Sequence, residues 1–187
     1  TVRIVWLNTW LGSRPSEDVL RYLESSDADF LLVSELHDEG QSEFRRLRAA
    51  YPTVIRCDGG HECNTIIFAR RAPLSAQTRT ALRASAAEFD IDGARLRLIA
   101  AHIARPNPPD RQQREFASLL QVIGDDSSAV ILAGDFNSTP WSFALRRFDR
   151  MSELQRHTHA LPTWPAQPWT RFQLPAIAAF LPIDHVY

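Results

Sequence analysis

Along the chain, unbroken apolar runs alternate with segments whose hydrophobic residues recur at helical spacing. The apolar, β-branched runs predict seven strands, at residues 2–7, 30–33, 53–56, 65–69, 88–91, 96–103 and 129–133. The helical spacing predicts four helices, at residues 16–25, 42–51, 111–123 and 141–147. Residues 161–182, which are rich in proline and aromatic side chains, show neither period and predict mostly loop.

The order of these elements predicts an α/β fold. Strands alternate with helices, but Asp92-Gly93 between two of the strands is a dipeptide typical of antiparallel hairpins. We therefore expect a mixed sheet, or two such sheets, covered by helices. The chain contains no internal repeat and no linker-like segment, which predicts that residues 1–187 form a single domain.

Composition narrows the class of protein without identifying it. With 44% hydrophobic and 23% charged residues among 187, the chain is typical of globular proteins, which excludes collagen, coiled coils and wholesale disorder. All 21 basic residues are arginine, and the formal net charge is −1. This balance disfavours a broad surface for nucleic acid but allows a local arginine cluster.

The two cysteines, Cys57 and Cys63, flank a turn-rich segment between two apolar runs. A hairpin there would bring them within bridging distance, and a disulfide would suit an oxidising compartment. The alternative is two unpaired thiols, and the sequence does not separate the two. A zinc site that includes His61 is disfavoured because no fourth ligand lies at a suitable spacing.

Polar side chains end several of the predicted buried strands. They are Asn8, Glu35, His102, Asp135 with Asn137, and Asp184. Strands fix the backbone while the side chains at their ends reach a common cleft, so this recurrence predicts one shared site. Carboxylate and amide oxygens favour a hard cation such as Mg2+ or Mn2+. Together with an imidazole, they suit metal-assisted attack of water on phosphorus.

The segment Gly134-Asp135-Phe136-Asn137-Ser138-Thr139-Pro140 resembles the G-D-F-N signature of the endonuclease/exonuclease/phosphatase superfamily. That superfamily includes DNase I-like nucleases, sphingomyelinases and inositol-polyphosphate phosphatases. Its remaining motif positions are matched, in family order, by Asn8, Glu35, His102 and Asp184. The residue before Glu35 departs from the pattern, since it is Ser34 where the family usually has Gln. The resemblance implies a four-layer αββα sandwich of two mixed sheets flanked by helices, with the site at one edge of the sheets.

The resemblance also implies a role for each matched residue. Glu35 would bind the Mg2+ or Mn2+ ion, with Asn8 adjoining it. Asp135 would orient and activate the attacking water, while Asn137 and His102 would hydrogen-bond the phosphate oxygens and stabilise the transition state. Asp184 would pair with a late catalytic histidine. From its position just ahead of the strand at 65–69, Asn64 is a further candidate for substrate binding.

The end of the chain departs from the family, which normally finishes with a Ser-Asp-His-x-Pro motif that supplies a catalytic histidine. Asp184-His185 is either that motif, with His185 as the catalytic imidazole, or an earlier strand of the fold. Ile183 and Tyr187 replace the Ser and Pro of the motif, which favours the earlier strand. On that interpretation the chain is truncated at its C-terminus and lacks the terminal histidine.

Two classes of substrate fit this chemistry. A nucleic acid would need arginine contacts, but the candidates at residues 45–48, 70–71 and 146–150 lie mostly on predicted helices, where a solvated surface is the simpler explanation. A lipid-linked or small phosphoester would suit the aromatic segment 161–181, although these side chains also suit packing over the sheet edge. A third alternative is a catalytically inactive binding module on the same fold.

The string from Gly134 to Trp141, with Pro162-Thr163-Trp164-Pro165, most resembles a bacterial branch of the superfamily that includes glycopeptide-resistance proteins. Those proteins are linked to lipid pyrophosphate hydrolysis and carry membrane helices ahead of an extracytoplasmic catalytic domain. The resemblance implies a membrane-linked, extracytoplasmic location, with the cytoplasm as the alternative. The expected partners are a phosphoester substrate and membrane lipid, nucleic acid is not favoured by charge, and we expect a monomer.

Overall fold

The structure is a computed structural model that describes residues 1–10, 17–36, 42–57, 63–79, 83–124, 129–165 and 179–187. Its strands are β1 (Ile4–Asn8), β2 (Phe30–Ser34), β3 (Thr53–Arg56), β4 (Thr65–Ala69), β5 (Ser75–Arg79), β6 (Ala84–Ile91), β7 (Ala94–His102), β8 (Ala129–Asp135) and β9 (Asp184–Val186). Its helices are α1 (Glu17–Ser25), α2 (Ser42–Ala50), α3 (Pro109–Ile123) and α4 (Phe143–Ser152). No helix within these ranges is both long and apolar enough to cross a membrane.

The strands form two mixed sheets. The first has the order β1-β2-β4-β3, in which β1 and β2 are parallel and the other pairs are antiparallel. The second has the order β5-β6-β7-β8-β9, in which β7 and β8 are parallel. The expectation of mixed sheets with antiparallel character is therefore confirmed.

The two sheets pack face to face, and helices cover both outer faces. Between the sheets, the rings of Phe30 from β2 and Phe89 from β6 lie 4.7 Å apart in a buried apolar layer. On the outside of the first sheet, Leu23 of α1 and Phe44 of α2 pack on β2 and β4. On the outside of the second sheet, α3 and α4 pack on β7 and β8 around Phe136. These layers confirm the four-layer αββα sandwich.

Several elements of the structure differ from the prediction, among them β5, α4, and β6, which begins at Ala84 where the predicted strand begins at residue 88. Strand β5 was not predicted, because it is an exposed edge strand with no apolar run to mark it. Helix α4 was predicted at residues 141–147 but begins at Phe143, since the side chain of Ser142 accepts a hydrogen bond from the backbone N–H of Leu145 and caps the helix. The predicted start of α1 at Ser16 and residues 166–178 of the predicted loop lie outside the described residues.

Cys57 and Cys63 form a disulfide, with their Cα atoms 5.6 Å apart. Of the two alternatives that the sequence left open, the structure thus has the bridge. Cys57 follows β3 and Cys63 precedes β4, so the disulfide ties together two neighbouring strands of the first sheet.

Candidate active site

Strand register brings the polar strand-end residues to one edge of the sandwich. In the first sheet, Asn8 at the end of β1 lies beside Ser34 at the end of β2, and Glu35 follows directly. In the second sheet, Asp135 of β8 lies between His102 of β7 and Asp184 of β9. Both parallel pairs of strands therefore deliver their last residues to the same edge.

Gly134 sets the spacing between two of these strands. It lies opposite Ala101 in the β7–β8 ladder, one position before the pair formed by His102 and Asp135. A Cβ atom at Gly134 would collide with the backbone carbonyl oxygen of Ala101. Glycine at this position therefore allows the register that sets the imidazole beside the carboxylate.

Two carboxylates and an imidazole converge around the amide of Asn8. Its Nδ2 donates to Oε1 of Glu35 at 3.1 Å and to Oδ2 of Asp135 at 3.0 Å. Nε2 of His102 lies 3.6 Å from the same Glu35 oxygen and 3.9 Å from the same Asp135 oxygen. One ligand atom from each of Glu35, His102 and Asp135 lies within 4.8 Å of the other two. This group is called the Asn8 cluster below.

The backbone around the Asn8 cluster is held in left-handed conformations. Glu35 has φ 60°, Asn137 has φ 46° and Trp10 has φ 56°. Such conformations cost non-glycine residues roughly 1–3 kcal/mol each and concentrate at functional sites. Here each is fixed by a hydrogen bond to the site: the N–H of Trp10 donates to Oδ1 of Asn8 at 2.9 Å, the N–H of Asn137 donates to Oδ1 of Asp135 at 2.8 Å, and the N–H of Glu35 donates to the carbonyl of Asn64 at 2.9 Å.

Burial sets the charge state of the cluster. The pKa of Asp135 is raised to about 8 by burial, and further by the neighbouring carboxylates of Asp184 and Glu35, against the opposing hydrogen bonds from Asn137 and Asn8. Burial also raises the pKa of Asp184. The pKa of His102 is lowered to about 4, mainly by burial, so the ring is neutral near pH 7. The site thus gathers the carboxylates of Glu35, Asp135 and Asp184, an environment that a divalent cation stabilises.

Asn64 fixes the orientation of the His102 ring. Its Oδ1 lies 2.9 Å from Nδ1 of His102. Because an amide oxygen can only accept, this contact assigns the ring proton of neutral His102 to Nδ1 and directs the lone pair of Nε2 toward Glu35 and Asp135. Asn64 thus contacts the Asn8 cluster through the imidazole of His102.

Asp184 and Asn137 lie at the border of the Asn8 cluster. Oδ1 of Asp184 accepts a hydrogen bond from Nε1 of Trp6 at 2.9 Å, and its backbone N–H donates to Oγ1 of Thr163 at 3.3 Å. The side-chain Nδ2 of Asn137 donates to the carbonyl of Ile103 at 2.9 Å. An amide nitrogen carries two N–H groups, so Asn137 retains a second donor.

His185 lies outside the Asn8 cluster. Its side chain is completely buried on the opposite side of β9 from Asp184, and the centroids of its ring and of the Phe136 ring lie 5.6 Å apart. Nε2 donates to the carbonyl of Ser138 at 2.8 Å, and Nδ1 lies 3.3 Å from Oγ1 of Thr158. Both ring nitrogens therefore have protein partners, and the geometry gives no support to the alternative in which His185 is the catalytic imidazole.

The cluster opens into a cavity of about 560 Å³ with largely apolar walls. Its apolar lining includes Trp6, Leu7, Trp10, Leu161, Trp164 and Val186. The polar lining adds Arg105, Thr158 and Thr163 to Asn8, Asp135 and Asp184. Sequence reasoning missed Arg105, although its position three residues after His102 was a usable signal; Thr158 and Thr163 lie in a segment without a period and gave none.

The sequence matches one known protein family. Residues 5–187 match the profile of the Endonuclease/Exonuclease/phosphatase family. No curated protein sequence matches the chain significantly.

Three similar solved structures are a humanized TDP2 of D. rerio, a beta toxin variant of Staphylococcus aureus with bound magnesium ions, and a sphingomyelinase C of Streptomyces griseocarneus. Their identities to this chain are 17%, 11% and 14%, and their TM-scores are 0.71, 0.72 and 0.63. The alignments cover 99%, 99% and 98% of this chain and 82%, 82% and 83% of those chains. At these identities the structures show a shared fold, and the profile match over nearly the whole sequence shows the family. The chain belongs to the Endonuclease/Exonuclease/phosphatase family.

Proposed function

We propose that this protein is a divalent-metal-dependent phosphoester hydrolase that uses metal-assisted attack of water on phosphorus. The observation that carries the proposal is the Asn8 cluster, in which ligand atoms of Glu35, His102 and Asp135 lie within 4.8 Å of one another. Family membership supports the same reaction class. The beta toxin structure, which contains magnesium ions, supports a divalent cation in this fold.

The donor set fits Mg2+ or Mn2+. Carboxylate oxygens are the preferred ligands of both ions, and Glu35 and Asp135 present buried carboxylates to the same point. Asn8 holds one oxygen of each carboxylate, which fixes the geometry of the site. We assign Glu35 as the main metal ligand, with Asn8 adjoining it. When bound, the cation would polarise a phosphoryl oxygen and offset negative charge.

The surrounding side chains would handle the water and the phosphate. Asp135 orients the attacking water and accepts its proton. Asn137 directs its second N–H to a phosphate oxygen. His102 donates from Nε2 in its protonated form, which the negative charge of a bound phosphate favours. For Asp184, which is held by Trp6, we keep the role that the family resemblance implies, which is to pair with a late catalytic histidine of the family's terminal motif.

The cavity supports a substrate with an apolar portion. Apolar side chains such as Trp6, Trp10 and Trp164 line the space directly beside Asp135, where the non-phosphate part of a substrate would lie. We therefore propose a lipid-linked or small apolar phosphoester, in keeping with the branch that includes glycopeptide-resistance proteins. The sphingomyelinase among the similar structures acts on a lipid, which supports this choice.

The second candidate is nuclease activity, which is favoured by a similar structure of D. rerio TDP2 in complex with a single-strand DNA product. The discriminating experiment measures hydrolysis of bis-p-nitrophenyl phosphate, plasmid DNA and a prenyl pyrophosphate with Mg2+, Mn2+ or EDTA. We expect metal-dependent turnover, fastest on the prenyl pyrophosphate and lost in EDTA. Turnover confined to DNA would establish the nuclease instead.

The matched variants are Asp135→Ala and Asp18→Ala, the latter removing an exposed carboxylate of α1. We expect Asp135→Ala to lower turnover about 10³-fold or more, because it removes both a ligand and the proton acceptor. Asp18→Ala should leave turnover unchanged. A folded wild-type protein with no turnover on any substrate would favour a binding module instead.

A further inference from the structure

The outward side of helix α4 carries a stripe of apolar and cationic side chains that lies apart from the catalytic residues. Leu145, Phe148 and Ser152 face the core, so the opposite side is exposed. That side presents Phe143, Arg146, Arg147, Arg150 and Met151, spaced three and four residues apart. These five residues are called the α4 stripe. The side chains at its two ends are unusually exposed, 69% for Phe143 and 54% for Met151.

The arginines of the α4 stripe differ from those that form ion pairs on other surfaces of the protein. On the first sheet's helices, Arg46 pairs with Glu17 at 2.8 Å and with Glu24 at 2.7 Å. Among the described residues, none of the three stripe arginines forms an ion pair. The single acidic residue of α4, Asp149, is already bound by Arg156 at 3.0 Å and by the hydroxyl of Tyr187 at 2.6 Å. The stripe therefore carries three arginines that form no ion pair with the part of the chain that the structure describes.

An apolar groove of about 370 Å³ runs beside the stripe, between α3 and α4. Phe143, Arg147 and Met151 form its α4 wall. Arg114 and Leu120 contribute from α3, together with the carboxylate of Asp110, so the groove itself is lined by two arginines and one acidic side chain. An exposed apolar groove beside a stripe of arginines marks a binding surface rather than ordinary solvated helix.

We propose that the α4 stripe docks on a membrane surface that carries anionic lipid headgroups. The arginines bind the headgroup phosphates, while Phe143 and Met151 enter the boundary between headgroups and acyl chains and the groove accepts lipid chain atoms. Trp141, which is 59% exposed just ahead of the helix, is of the type favoured at that depth. Charge alone would suit nucleic acid, but large apolar side chains at both ends of the stripe favour a lipid interface.

The position of the stripe gives the docking a consequence for the site. Trp141 lies only four positions after Asn137, a span of at most roughly 14 Å of extended chain. A protein docked through this surface therefore holds its catalytic edge near the membrane. The proposal concerns docking and does not depend on the proposed hydrolase activity.

The test is sedimentation with phosphatidylcholine vesicles, with and without one quarter phosphatidylglycerol. We expect binding to the anionic vesicles, loss of that binding in 1 M NaCl, and a blue shift of tryptophan fluorescence. Arg146→Gln/Arg147→Gln should weaken the partition coefficient roughly 30-fold, about fivefold for each arginine. Phe143→Ser should weaken it several-fold, and a circular dichroism spectrum confirms that each variant is folded.

Matched controls change the same chemistry elsewhere. Arg48→Gln/Arg95→Gln removes two exposed arginines from other surfaces, and Tyr22→Ser removes a side chain that is 59% exposed on α1. Both should bind vesicles like the wild type, as should the inactive Asp135→Ala. Equal losses in stripe and control variants, equal binding to neutral vesicles, or binding to plasmid DNA with none to vesicles would each overturn the proposal. Wild-type protein that stays in solution with every vesicle would overturn it in favour of a protein partner.

Discussion

The second sheet contains two buried histidines, His102 on the catalytic side and His185 on the side that the helices cover, and their surroundings differ. On the catalytic side, Nε2 of His102 faces the carboxylates of Glu35 and Asp135, while Nδ1 contacts the amide of Asn64. On the helix side, His185 is bound by the carbonyl of Ser138 and the hydroxyl of Thr158. Burial lowers the pKa of both rings.

The two histidines differ in the charge of the groups that surround them. The partners of His185 are neutral and contact both of its ring nitrogens. This ring is therefore a fully hydrogen-bonded part of the core. His102 instead faces the carboxylates of Glu35 and Asp135, whose nearest oxygens lie 3.6 Å and 3.9 Å from its Nε2. Burying such groups is costly unless they are paired or bind a metal, which is why this side is the candidate site.

Removing each histidine in turn is the strongest way to break this comparison. We expect His102→Ala to lower turnover of bis-p-nitrophenyl phosphate with Mg2+ about 10²–10⁴-fold, because the phosphate loses a donor, while the free energy of unfolding changes little. We expect His185→Ala to lower the free energy of unfolding by about 2–4 kcal/mol, since it leaves a cavity and an unpaired carbonyl at Ser138. Urea unfolding and steady-state kinetics on both variants measure the two effects.

The His185→Ala variant also provides the result that would contradict this comparison. Folded His185→Ala protein should keep turnover within a few-fold of the wild type. If it instead lost turnover while keeping its stability, the imidazole on the helix side would be the catalytic one. The comparison between the two sides would then be reversed.

The pH dependence of stability sharpens the comparison. The pKa of Asp135 is raised to about 8 in the folded state. Between about pH 4 and pH 8 the folded state therefore keeps a proton that the unfolded state has released. Because the unfolded state binds fewer protons in this range, the free energy of unfolding falls as the pH rises. The lowered pKa values of His102 and His185 act in the opposite direction, but only below about pH 6.5. Between pH 6.5 and 8, therefore, the free energy of unfolding in EDTA should fall by about 1–2 kcal/mol.

Urea unfolding at pH 6.5 and pH 8.0 measures this fall. Asp135→Asn should remove most of it, since the amide does not titrate. Adding Mg2+ should also flatten it, because a bound cation stabilises the ionised carboxylates. A fall that persists in both Asp135→Asn and Mg2+ would locate the titrating group elsewhere.

Local patterns predicted most elements of the fold, and the exceptions have identifiable causes. Buried strands such as β2 and β8 can be recognised in the sequence by their unbroken apolar runs. Strand β5 carries no such run because it is an exposed edge strand. Its pairing with β6 depends on the folded arrangement of the chain and not on its own residues. The first turn of α4 depends on the cap at Ser142, which the preceding Pro140 obscured.

The candidate site was predictable as a set of residues but not as a geometry. Asn8, Glu35 and Asp135 could be selected because each comes at the end of an apolar run. The hydrogen bond between Asn8 and Asp135 joins residues 127 positions apart in different sheets, and no spacing in the sequence encodes it. The same reason explains why the sequence left His185 open as an alternative catalytic imidazole, since the packing of the sheets decides which ring meets the carboxylates.

The smallest expected effect comes from Asn64, the residue that orients the His102 ring. We expect Asn64→Ala to lower turnover about tenfold, as is typical when the partner of a site histidine is removed, because His102 loses the contact that fixes its ring orientation. Asn64→Asp keeps an acceptor and should restore turnover. Its carboxylate would also raise the pKa of His102, and because His102 acts in its protonated form, the alkaline limb of the pH–rate profile should move to higher pH. Gln77→Ala, which removes an exposed amide on β5, serves as the control, and an unchanged pH profile in Asn64→Asp would show that Asn64 acts only by packing.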